Sequence, residues 1–309
     1  MKSLQHRAEY GALRGLVRVL GAVPWDRAGR IGAKVGAMGF RPLGVRRRVV
    51  ERQIAAAFPE LSDEQVADLA RRSYEHLGRS AIETALLPGL GQAGVLRLVS
   101  EVENWDVVER AKSAGKGIII VSGHLGNWEL AAAYLAARGV PFDVIVRKMG
   151  NPLFDRYLNQ TREQLGVNVV YDAQAVRQTP RALRQGRAVG FVADQGVRGL
   201  ASTFVPFFGR PAKTPRGAGV FALRFGSPVI FIAALRKPDG SYLVGFEEIP
   251  VVETGDRERD VDSVVLRFTQ VLEKWVRRAP DQYFWQHRRW RRQPPGTPPE
   301  LRDPAAEGS

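Results

Sequence analysis

The spacing of apolar residues changes near residue 115, and this change constrains the fold more than any other feature of the sequence. Beyond it, short apolar runs alternate with stretches that have helical spacing. Such runs are typical of buried strands, and strands that alternate with helices pair in parallel within one sheet. The runs cover 117–121, 142–147, 167–171, 188–193, 229–234 and 243–246. The sequence therefore predicts an α/β fold with a mostly parallel central sheet flanked by helices.

The N-terminus contains an apolar stretch, residues 12–24, that Arg14 and Arg18 interrupt. It has no clear cleavage site and is shorter than the roughly 20 apolar residues of a membrane-spanning helix. Its apolar residues share one helical face, and the two arginines share another. The apolar face consists of Leu13, Leu16, Val17 and Leu20. This pattern predicts a helix in the bilayer interface or, equally, an amphipathic helix packed on the domain.

Three regions follow from composition and spacing. Residues 1–90 have helical spacing, with a capping box predicted between Ser62 and Gln65. The last residues are rich in Pro, Gly and charge, which is typical of disorder. We predict an N-terminal helical, membrane-associating region over 1–90, an α/β core over 91–292 and a disordered tail over 293–309, all within one structural domain.

Charge and cysteine content narrow the classes of function. The chain has 46 Lys and Arg against 32 Asp and Glu, a formal net charge of +14. Such a surface attracts polyanions: anionic lipid, nucleic acid or an acidic protein. The sequence has no cysteine, which excludes disulfides, thiolate zinc sites and cysteine nucleophiles. It also lacks the Gly-x-Ser-x-Gly elbow of serine esterases.

The candidate catalytic residues follow the end of the first apolar run. His124 follows a small-residue turn at the carboxyl end of the strand, where open α/β sheets place their ligands. Asn127 is a good helix N-cap, so Glu129 falls in the first turn of the next helix. In one continuous helix the two side chains would lie about 140° apart, but a turn lets the carboxylate fold back toward the imidazole.

The pair of His124 and Glu129 is therefore interpreted as a general base with its orienting carboxylate. The helix N-terminus favours an ionised Glu129, and a carboxylate bonded to one ring nitrogen leaves the other nitrogen as the base. The pair has no built-in nucleophile, so it would activate a hydroxyl of the substrate. The alternative is a histidine that satisfies a turn and a glutamate that favours a helix start.

Other candidates lie further along the chain. Arg147 ends a strand at the same sheet edge, where it could bind phosphate or polarise a carbonyl. Asp194 ends another strand and could position His124, Arg147 or a substrate; the alternative is an aspartate that starts a turn. Three phenylalanines could wall an apolar groove or form plain core: Phe204, Phe207 and Phe208.

The C-terminal residues 285–292 alternate aromatic and cationic side chains. That composition predicts a membrane-interface anchor, and it also fits nucleic-acid binding by stacking and phosphate contact.

Several segments together resemble one family. Residues 123–129 resemble the His-x4-Asp/Glu motif of the lysophospholipid acyltransferase superfamily, closest to the lipid A biosynthesis late acyltransferases and the related phosphatidylinositol mannoside acyltransferases. The chain departs from this branch in its short N-terminal segment, where those enzymes often begin with a clear membrane helix. Further blocks follow in the family's order within residues 10–292: Arg147; Asp194-Gln195-Gly196; 204–209 with Thr214; and 283–290.

The resemblance implies acyl transfer from a thioester of acyl carrier protein or coenzyme A to a hydroxyl of a lipid A precursor or related glycolipid. It implies His124 and Glu129 as catalytic residues, with no metal and no cofactor besides the thioester co-substrate. It also implies a peripheral or monotopic enzyme on the cytoplasmic face of the bacterial inner membrane, bound to anionic lipid and not to nucleic acid. The substrate-binding candidates are Asn127, Arg147, Asp194, Gln195 and Thr214, and the groove of Phe204, Phe207 and Phe208 would hold the acyl chain.

Other functions remain open at this point. The acceptor could be a lysophospholipid or a phosphatidylinositol mannoside. The same base could act on water, as in a lipid hydrolase. A non-catalytic basic protein that binds membranes or nucleic acid is the alternative from another class.

Overall fold

The structure is a computed structural model that describes residues 2–196 and 199–306. The helices are α1 (Lys2–Leu20), α2 (Trp25–Phe40), α3 (Arg47–Ala57), α4 (Asp63–Leu98), α5 (Trp105–Ser113), α6 (Trp128–Ala137), α7 (Pro152–Gln164), α8 (Asp172–Arg184), α9 (Gly217–Phe225) and α10 (Arg257–Arg278). The strands are β1 (Val99–Glu103), β2 (Ile118–Ser122), β3 (Phe142–Val146), β4 (Val167–Tyr171), β5 (Ala188–Val192), β6 (Ser202–Phe207), β7 (Arg210–Pro215), β8 (Val229–Arg236) and β9 (Tyr242–Ile249).

The central sheet has seven strands in the order β1-β9-β8-β2-β5-β3-β4, which confirms the predicted α/β class. All neighbours are parallel except β8 and β9, which pair antiparallel. The hairpin of β6 and β7 forms a separate two-stranded sheet. Strand β2 is buried along its whole length, as expected for a parallel strand covered on both faces.

The two faces of β2 belong to two different hydrophobic cores, because successive side chains of a strand alternate between the faces of the sheet. Ile118 and Ile120 pack with residues of α6 and β3. Ile119 and Val121 pack in the other core, with residues of α9 and α10. The carboxyl end of β2 therefore emerges between two helical layers.

Helix α4 organises the N-terminal region. It starts with the predicted capping box, in which Ser62 and Gln65 bond reciprocally. Its backbone leaves helical geometry at Gly91, where two helical segments of α4 meet at a kink. Helix α2 packs closely on it, since a Cβ at Gly36 would lie 2.0 Å from the Tyr74 carbonyl oxygen.

Helix α1 is amphipathic, but its contacts differ from the predicted single face. Leu20 is buried and Leu13 and Val17 are half-buried, whereas Leu16 is 42% exposed. Exposed large apolar side chains recur along the first 45 residues: Leu4, Leu16, Val19, Ile31, Val35, Met38, Leu43 and Val45. Within the described chain, no helix has the length and hydropathy needed to cross a membrane.

The C-terminal segment differs from the predicted disordered tail over its described part, residues 293–306. Its backbone is largely irregular, yet Ala305 is 2% exposed and Asp303 accepts a 2.5 Å hydrogen bond from Arg288. Buried anchor residues therefore hold a segment whose composition alone resembles that of a flexible tail. Residues 307–309 lie outside the described part.

Candidate active site

The turn after β2 presents His124 at the carboxyl edge of the sheet. Ser122 donates from Oγ to the Ile232 carbonyl at 2.8 Å, which ties the end of the strand to β8. Gly126 has φ +60°, and a Cβ there would lie 2.0 Å from the Ala234 carbonyl oxygen. Only glycine fits this close approach, so the small residues of the motif fix the path of the turn.

Asn127 closes the turn as the predicted N-cap of α6. Its side chain accepts from the Leu130 amide at 3.0 Å, and the residue is only 1% exposed. The helix end therefore uses the side chain of Asn127, which does not line the neighbouring cavity. A substrate-binding role for Asn127 stays a prediction.

The imidazole of His124 is held by Asp194. The ring Nδ1 lies 2.6 Å from Asp194 Oδ1, and the His124 amide donates to Oδ2 at 3.0 Å. Asp194 follows β5, which pairs with β2, so the two strand ends bring the residues together. Of the roles considered for Asp194, contact with His124 is the one that the geometry supports.

Glu129 makes a different contact from the one expected. Both of its carboxylate oxygens accept from Arg162 on α7, at 2.9 Å from Nε and 2.6 Å from Nη2. This two-point geometry suits a guanidinium and a carboxylate, and it turns Glu129 away from a direct bond to the ring. The expected Glu129–His124 hydrogen bond is therefore absent from the described contacts. A catalytic role for Glu129 stays a prediction.

Burial and charge act in opposite directions on the pair. Burial disfavours the imidazolium, but the charge of Asp194, its hydrogen bond and the charge of Glu129 outweigh this effect and raise the pKa of His124. Burial would likewise raise the pKa of Asp194, yet His124 and the charge of Arg289 hold it well below its ordinary value. The structure thus favours an ionised Asp194 next to a histidine that titrates above 6.5.

A cavity of about 660 Å³ opens beside His124 at the carboxyl ends of β2, β3 and β5. Its polar lining includes His124, Glu129, Arg162, Arg147 and Gln195. The remainder of the lining is mostly apolar and comes from both faces of the sheet, from α6 on one side and from α8 and α9 on the other. Its apolar members include Ile120, Ala132, Leu135, Phe142, Val144, Ala175, Val176, Phe191, Ala218 and Phe221.

The other predicted site residues divide into two groups. Arg147 is exposed at the cavity, and Gln195 lines it with its Nε2 3.2 Å from His124 Nδ1. Thr214 is fully buried, lies outside the cavity lining and accepts from Arg289 at 2.7 Å, so its contact with substrate stays a prediction.

The three phenylalanines predicted to wall an acyl groove lie elsewhere. Phe207 and Phe208 are 0% and 8% exposed and pack with Tyr283 and Trp285 in an aromatic core. Phe204 is 38% exposed and does not line the cavity. The alternative of plain core holds for two of the three, because the hairpin turns those rings toward the C-terminal segment.

The aromatic and basic C-terminal segment is also interior. Trp285 and Trp290 are fully buried and Arg289 is 3% exposed. These side chains cannot anchor the protein in a membrane interface. Sequence composition did not reveal this, because buried and interfacial tryptophans have the same chemistry.

Sequence reasoning missed several residues at the site. Arg162 lies in a helix whose other residues are mostly polar, and nothing in its spacing marks it. Trp128 and Phe284 pack on the imidazole, with ring centroids 4.9 Å and 5.9 Å from that of His124. Trp128 lies inside the motif itself, so its position was the available signal.

The site combines a histidine held by an orienting carboxylate with a mostly apolar cavity of about 660 Å³, an arrangement that suits an acyltransferase. The chain belongs to the bacterial lipid A biosynthesis acyltransferase family, whose model matches residues 2–292. It is 26% identical over 287 residues to the lipid A biosynthesis lauroyltransferase of Escherichia coli, covering 92% of each chain.

Two further relatives extend the comparison. The lipid A biosynthesis palmitoleoyltransferase of Escherichia coli is 27% identical over 268 residues, 86% of this chain and 85% of the relative. The phosphatidylinositol mannoside acyltransferase of Mycobacterium tuberculosis is 26% identical over 206 residues, 64% of each chain. The family assignment made from the motifs is confirmed, and the protein is an O-acyltransferase.

Proposed function

We propose that this protein transfers a fatty acyl chain from a thioester of acyl carrier protein or coenzyme A to a hydroxyl of a lipid A precursor or related glycolipid. The carrying observation is the bond between His124 Nδ1 and Asp194, at the mouth of an apolar cavity. With Nδ1 held by the carboxylate, Nε2 is the nitrogen left to act as a base.

In the proposed reaction, His124 Nε2 takes the proton of the acceptor hydroxyl as its oxygen attacks the thioester carbonyl. The carbon–sulfur bond then breaks, and the proton passes from the imidazolium to the departing thiolate. Asp194 fixes the tautomer and stabilises the imidazolium. The oxyanion needs hydrogen-bond donors, and backbone N–H groups, Gln195 and Arg147 are the candidates at the cavity.

Glu129 has a second role in this proposal. The negative charge of Glu129 favours the imidazolium form of His124. The ion pair with Arg162 holds the Glu129 carboxylate in place at the cavity. Glu129 therefore acts on His124 through charge and not through a hydrogen bond. The acyl chain would occupy the apolar part of the cavity, which excludes water from the thioester.

We also propose that the enzyme acts at a membrane surface, on the cytoplasmic face of the bacterial inner membrane. The apolar side chains exposed on α1 and α2 and the net charge of +14 both support attachment to anionic lipid. A peripheral or monotopic attachment fits these features.

The test is an acyl-transfer assay with radiolabelled acyl thioesters on both carriers. The acceptors are lipid A precursors, lysophospholipids and glycosylated phosphatidylinositol, and His124→Ala is measured beside the wild type. Transfer to one acceptor that disappears in His124→Ala supports the proposal and identifies the acceptor. Release of free fatty acid independent of any acceptor indicates a hydrolase. Binding of anionic vesicles by both proteins, with no transfer by either, contradicts catalysis.

A further inference from the structure

Three exposed apolar side chains lie at the opening of the cavity. Met149 is 43% exposed, Val176 75% and Leu200 43%, and all three line the cavity. A side chain that lines a cavity and is also exposed lies where the cavity opens to solvent. These three residues are called the cavity rim below.

The sheet topology brings the cavity rim together. Met149 follows β3, Val176 lies on α8, which follows β4, and Leu200 follows β5. The strands β5, β3 and β4 are parallel neighbours, so the segments after them emerge at the same edge of the sheet. Single exposed apolar residues are ordinary, but several around one opening are typical of an interaction surface.

Cations accompany the cavity rim. Arg147 and Lys148 directly precede Met149 in the chain, and Arg177 directly follows Val176. All three cationic side chains are exposed, and Arg147 also lines the cavity. The surface around the opening is therefore both apolar and positively charged.

The carboxylates that line the cavity do not cancel this charge at the surface. Glu129 is paired with Arg162, and Asp155 is 5% exposed. Asp172 is half-buried and accepts from the Ala173 amide at 2.7 Å, at the start of its own helix. The exposed charges beside the opening are thus those of the cations.

Helix α1 reaches the same side of the molecule. Asn151, two residues after Met149, donates from Nδ2 to Glu9 at 2.9 Å and to the His6 carbonyl at 3.4 Å. Leu4, two residues before His6 on α1, is 76% exposed. The exposed apolar surface of α1 therefore begins next to the cavity rim.

We propose that the opening of the cavity contacts the membrane surface through Met149, Val176 and Leu200, so that the lipid acceptor enters the cavity directly from the bilayer. The proposal rests on the proposed function and assigns to the site a lipid surface of its own. Attachment through α1 and α2 alone would hold the protein at the membrane without directing the cavity toward it.

A bilayer fits this surface better than an acidic protein does. An acidic protein would account for the cations but not for Val176, which is 75% exposed. A bilayer interface takes apolar side chains into its acyl region and cations among its anionic headgroups. A cavity that opens to the bilayer also lets an acyl chain pass between two apolar environments without contact with water.

The test uses single-cysteine variants, since the chain has no cysteine of its own. Val176→Cys and Met149→Cys are labelled with a fluorophore whose emission shifts to the blue in an apolar environment. Vesicles of phosphatidylcholine and phosphatidylglycerol are added, with and without a nitroxide on the acyl chains. At both positions we expect a blue shift and quenching by the nitroxide lipids.

Val252→Cys is the matched control. Val252 is 45% exposed and follows β9, whose end pairs with the start of β8, so it lies at the opposite edge of the sheet from the cavity. Its label is expected to keep its emission. A response at position 252 equal to that at the cavity rim overturns the proposal, because the binding would then have no preferred side.

Two other results also overturn the proposal. A response of Val19→Cys on α1, with none at positions 149 and 176, shows attachment by α1 without contact at the cavity rim. Labels at the cavity rim that respond to purified acyl carrier protein and not to vesicles indicate a surface for protein docking.

A charge variant tests the cations beside the cavity rim. In Arg177→Gln, vesicle binding should weaken about fivefold, which corresponds to the contribution of about 1 kcal/mol per cation at an anionic surface. Arg257→Gln is the control, because Arg257 is exposed at the start of α10, five residues after Val252. Sedimentation with vesicles measures both, and equal binding by the two variants contradicts the proposal.

Failure of the proposed function gives a different result, because the labels report without any acyl transfer. If the wild type transfers no acyl chain but the labels at positions 149 and 176 respond, the membrane contact is supported and the proposed catalysis is not. Transfer to an acceptor in vesicles, with no response at either position, supports the catalysis and overturns the contact.

Discussion

His124 lies between two walls that differ in chemistry. The back wall, formed by Asp194 and Tyr283, is almost completely buried. The cavity wall, formed by Glu129, Arg162 and the apolar lining, is open to a ligand. Each wall contains one carboxylate, but only that of the back wall bonds to the imidazole, at 2.6 Å. The carboxylate of the cavity wall is paired with its own arginine.

The difference between the walls shows that two carboxylates near one histidine can have different roles. A buried carboxylate keeps a fixed geometry, so it can select the ring tautomer. A carboxylate beside a substrate cavity has to be balanced locally, because an unpaired charge there would disfavour an apolar chain. We therefore expect the two walls to differ in the size and in the kind of their mutational effects.

The largest effect is expected at the back wall. Asp194→Asn removes the charge that stabilises the imidazolium and permits the wrong tautomer, so kcat/KM should fall by about 10,000-fold, the scale seen when the carboxylate of a catalytic triad is replaced. Steady-state kinetics measure it, with Asp172→Asn as the control. Asp172 also lines the cavity but does not contact His124. A loss below tenfold in Asp194→Asn would contradict an orienting role.

A smaller loss is expected at the cavity wall. Glu129→Gln removes a charge that favours the imidazolium, and we expect kcat/KM to fall by about 30-fold, the scale of an electrostatic contribution without a direct bond. Because Glu129 and Arg162 act as a pair, the double variant Glu129→Gln/Arg162→Met should lose less than the sum of the single losses. If Glu129→Gln lowers kcat/KM as much as Asp194→Asn does, Glu129 contacts His124 once substrate is bound. The two walls would then not differ in the way proposed.

The preference of the enzyme for acyl chains of a given length should depend on residues of the cavity wall and not on those of the back wall. Ala132 lines the cavity one helical turn beyond Trp128, so Ala132→Phe should shorten the space for the chain. We expect the ratio of kcat/KM for short over long acyl thioesters to rise about tenfold, the scale of removing a few favourable methylene contacts. Competition between labelled thioesters measures this ratio.

Phe207→Leu is the matched change near the back wall. Phe207 is fully buried in the aromatic core, so this variant should lower the free energy of unfolding by about 1–2 kcal/mol without changing the chain-length ratio. A changed chain-length ratio in Phe207→Leu would indicate that the acyl chain binds near Phe207, as predicted from the sequence.

The smallest effect concerns stability at acid pH. Burial lowers the pKa of His287, in the C-terminal segment, to about 4, and that of His76 on α4 also to about 4. Both folded values lie below the ordinary 6.5, so their stabilising contribution is complete above 6.5 and is lost as the pH falls toward 4. His124 has the opposite sign, because its raised pKa favours the folded state at low pH.

Denaturant unfolding at pH 7.5, 5.5 and 4.5 tests this balance. The free energy of unfolding of the wild type should decrease as the pH falls from 7.5 to 4.5. The decrease should be smaller in His76→Gln. An equal decline in both proteins would show that His76 does not contribute. His124→Gln should make the decline steeper, which separates the two signs.

Much of the fold could be predicted because strand and helix spacing are local properties. The apolar runs at 117–121 and 188–193 correspond to β2 and β5, and the capping box at Ser62 starts α4 as expected. The hairpin of β6 and β7 was not predicted as strands, because its aromatic residues suggested a groove. The position of His124 followed from a strand end and a glycine turn, both of which are readable in sequence.

The partners of His124 could not be predicted from spacing. Glu129 is five residues away and Asp194 is 70 residues away, so local reasoning favoured Glu129 as the contact. The structure shows the opposite, because the parallel pairing of β2 with β5 places the ends of these distant strands, and with them His124 and Asp194, side by side.

Local spacing and motifs that fold as short units were enough to predict the α/β class, the family and the histidine at the strand end. The tertiary structure was needed to establish which carboxylate bonds to His124, which aromatic rings are core and which surfaces line the cavity. These depend on which distant segments pack together, and composition cannot distinguish a buried tryptophan or arginine from an exposed one.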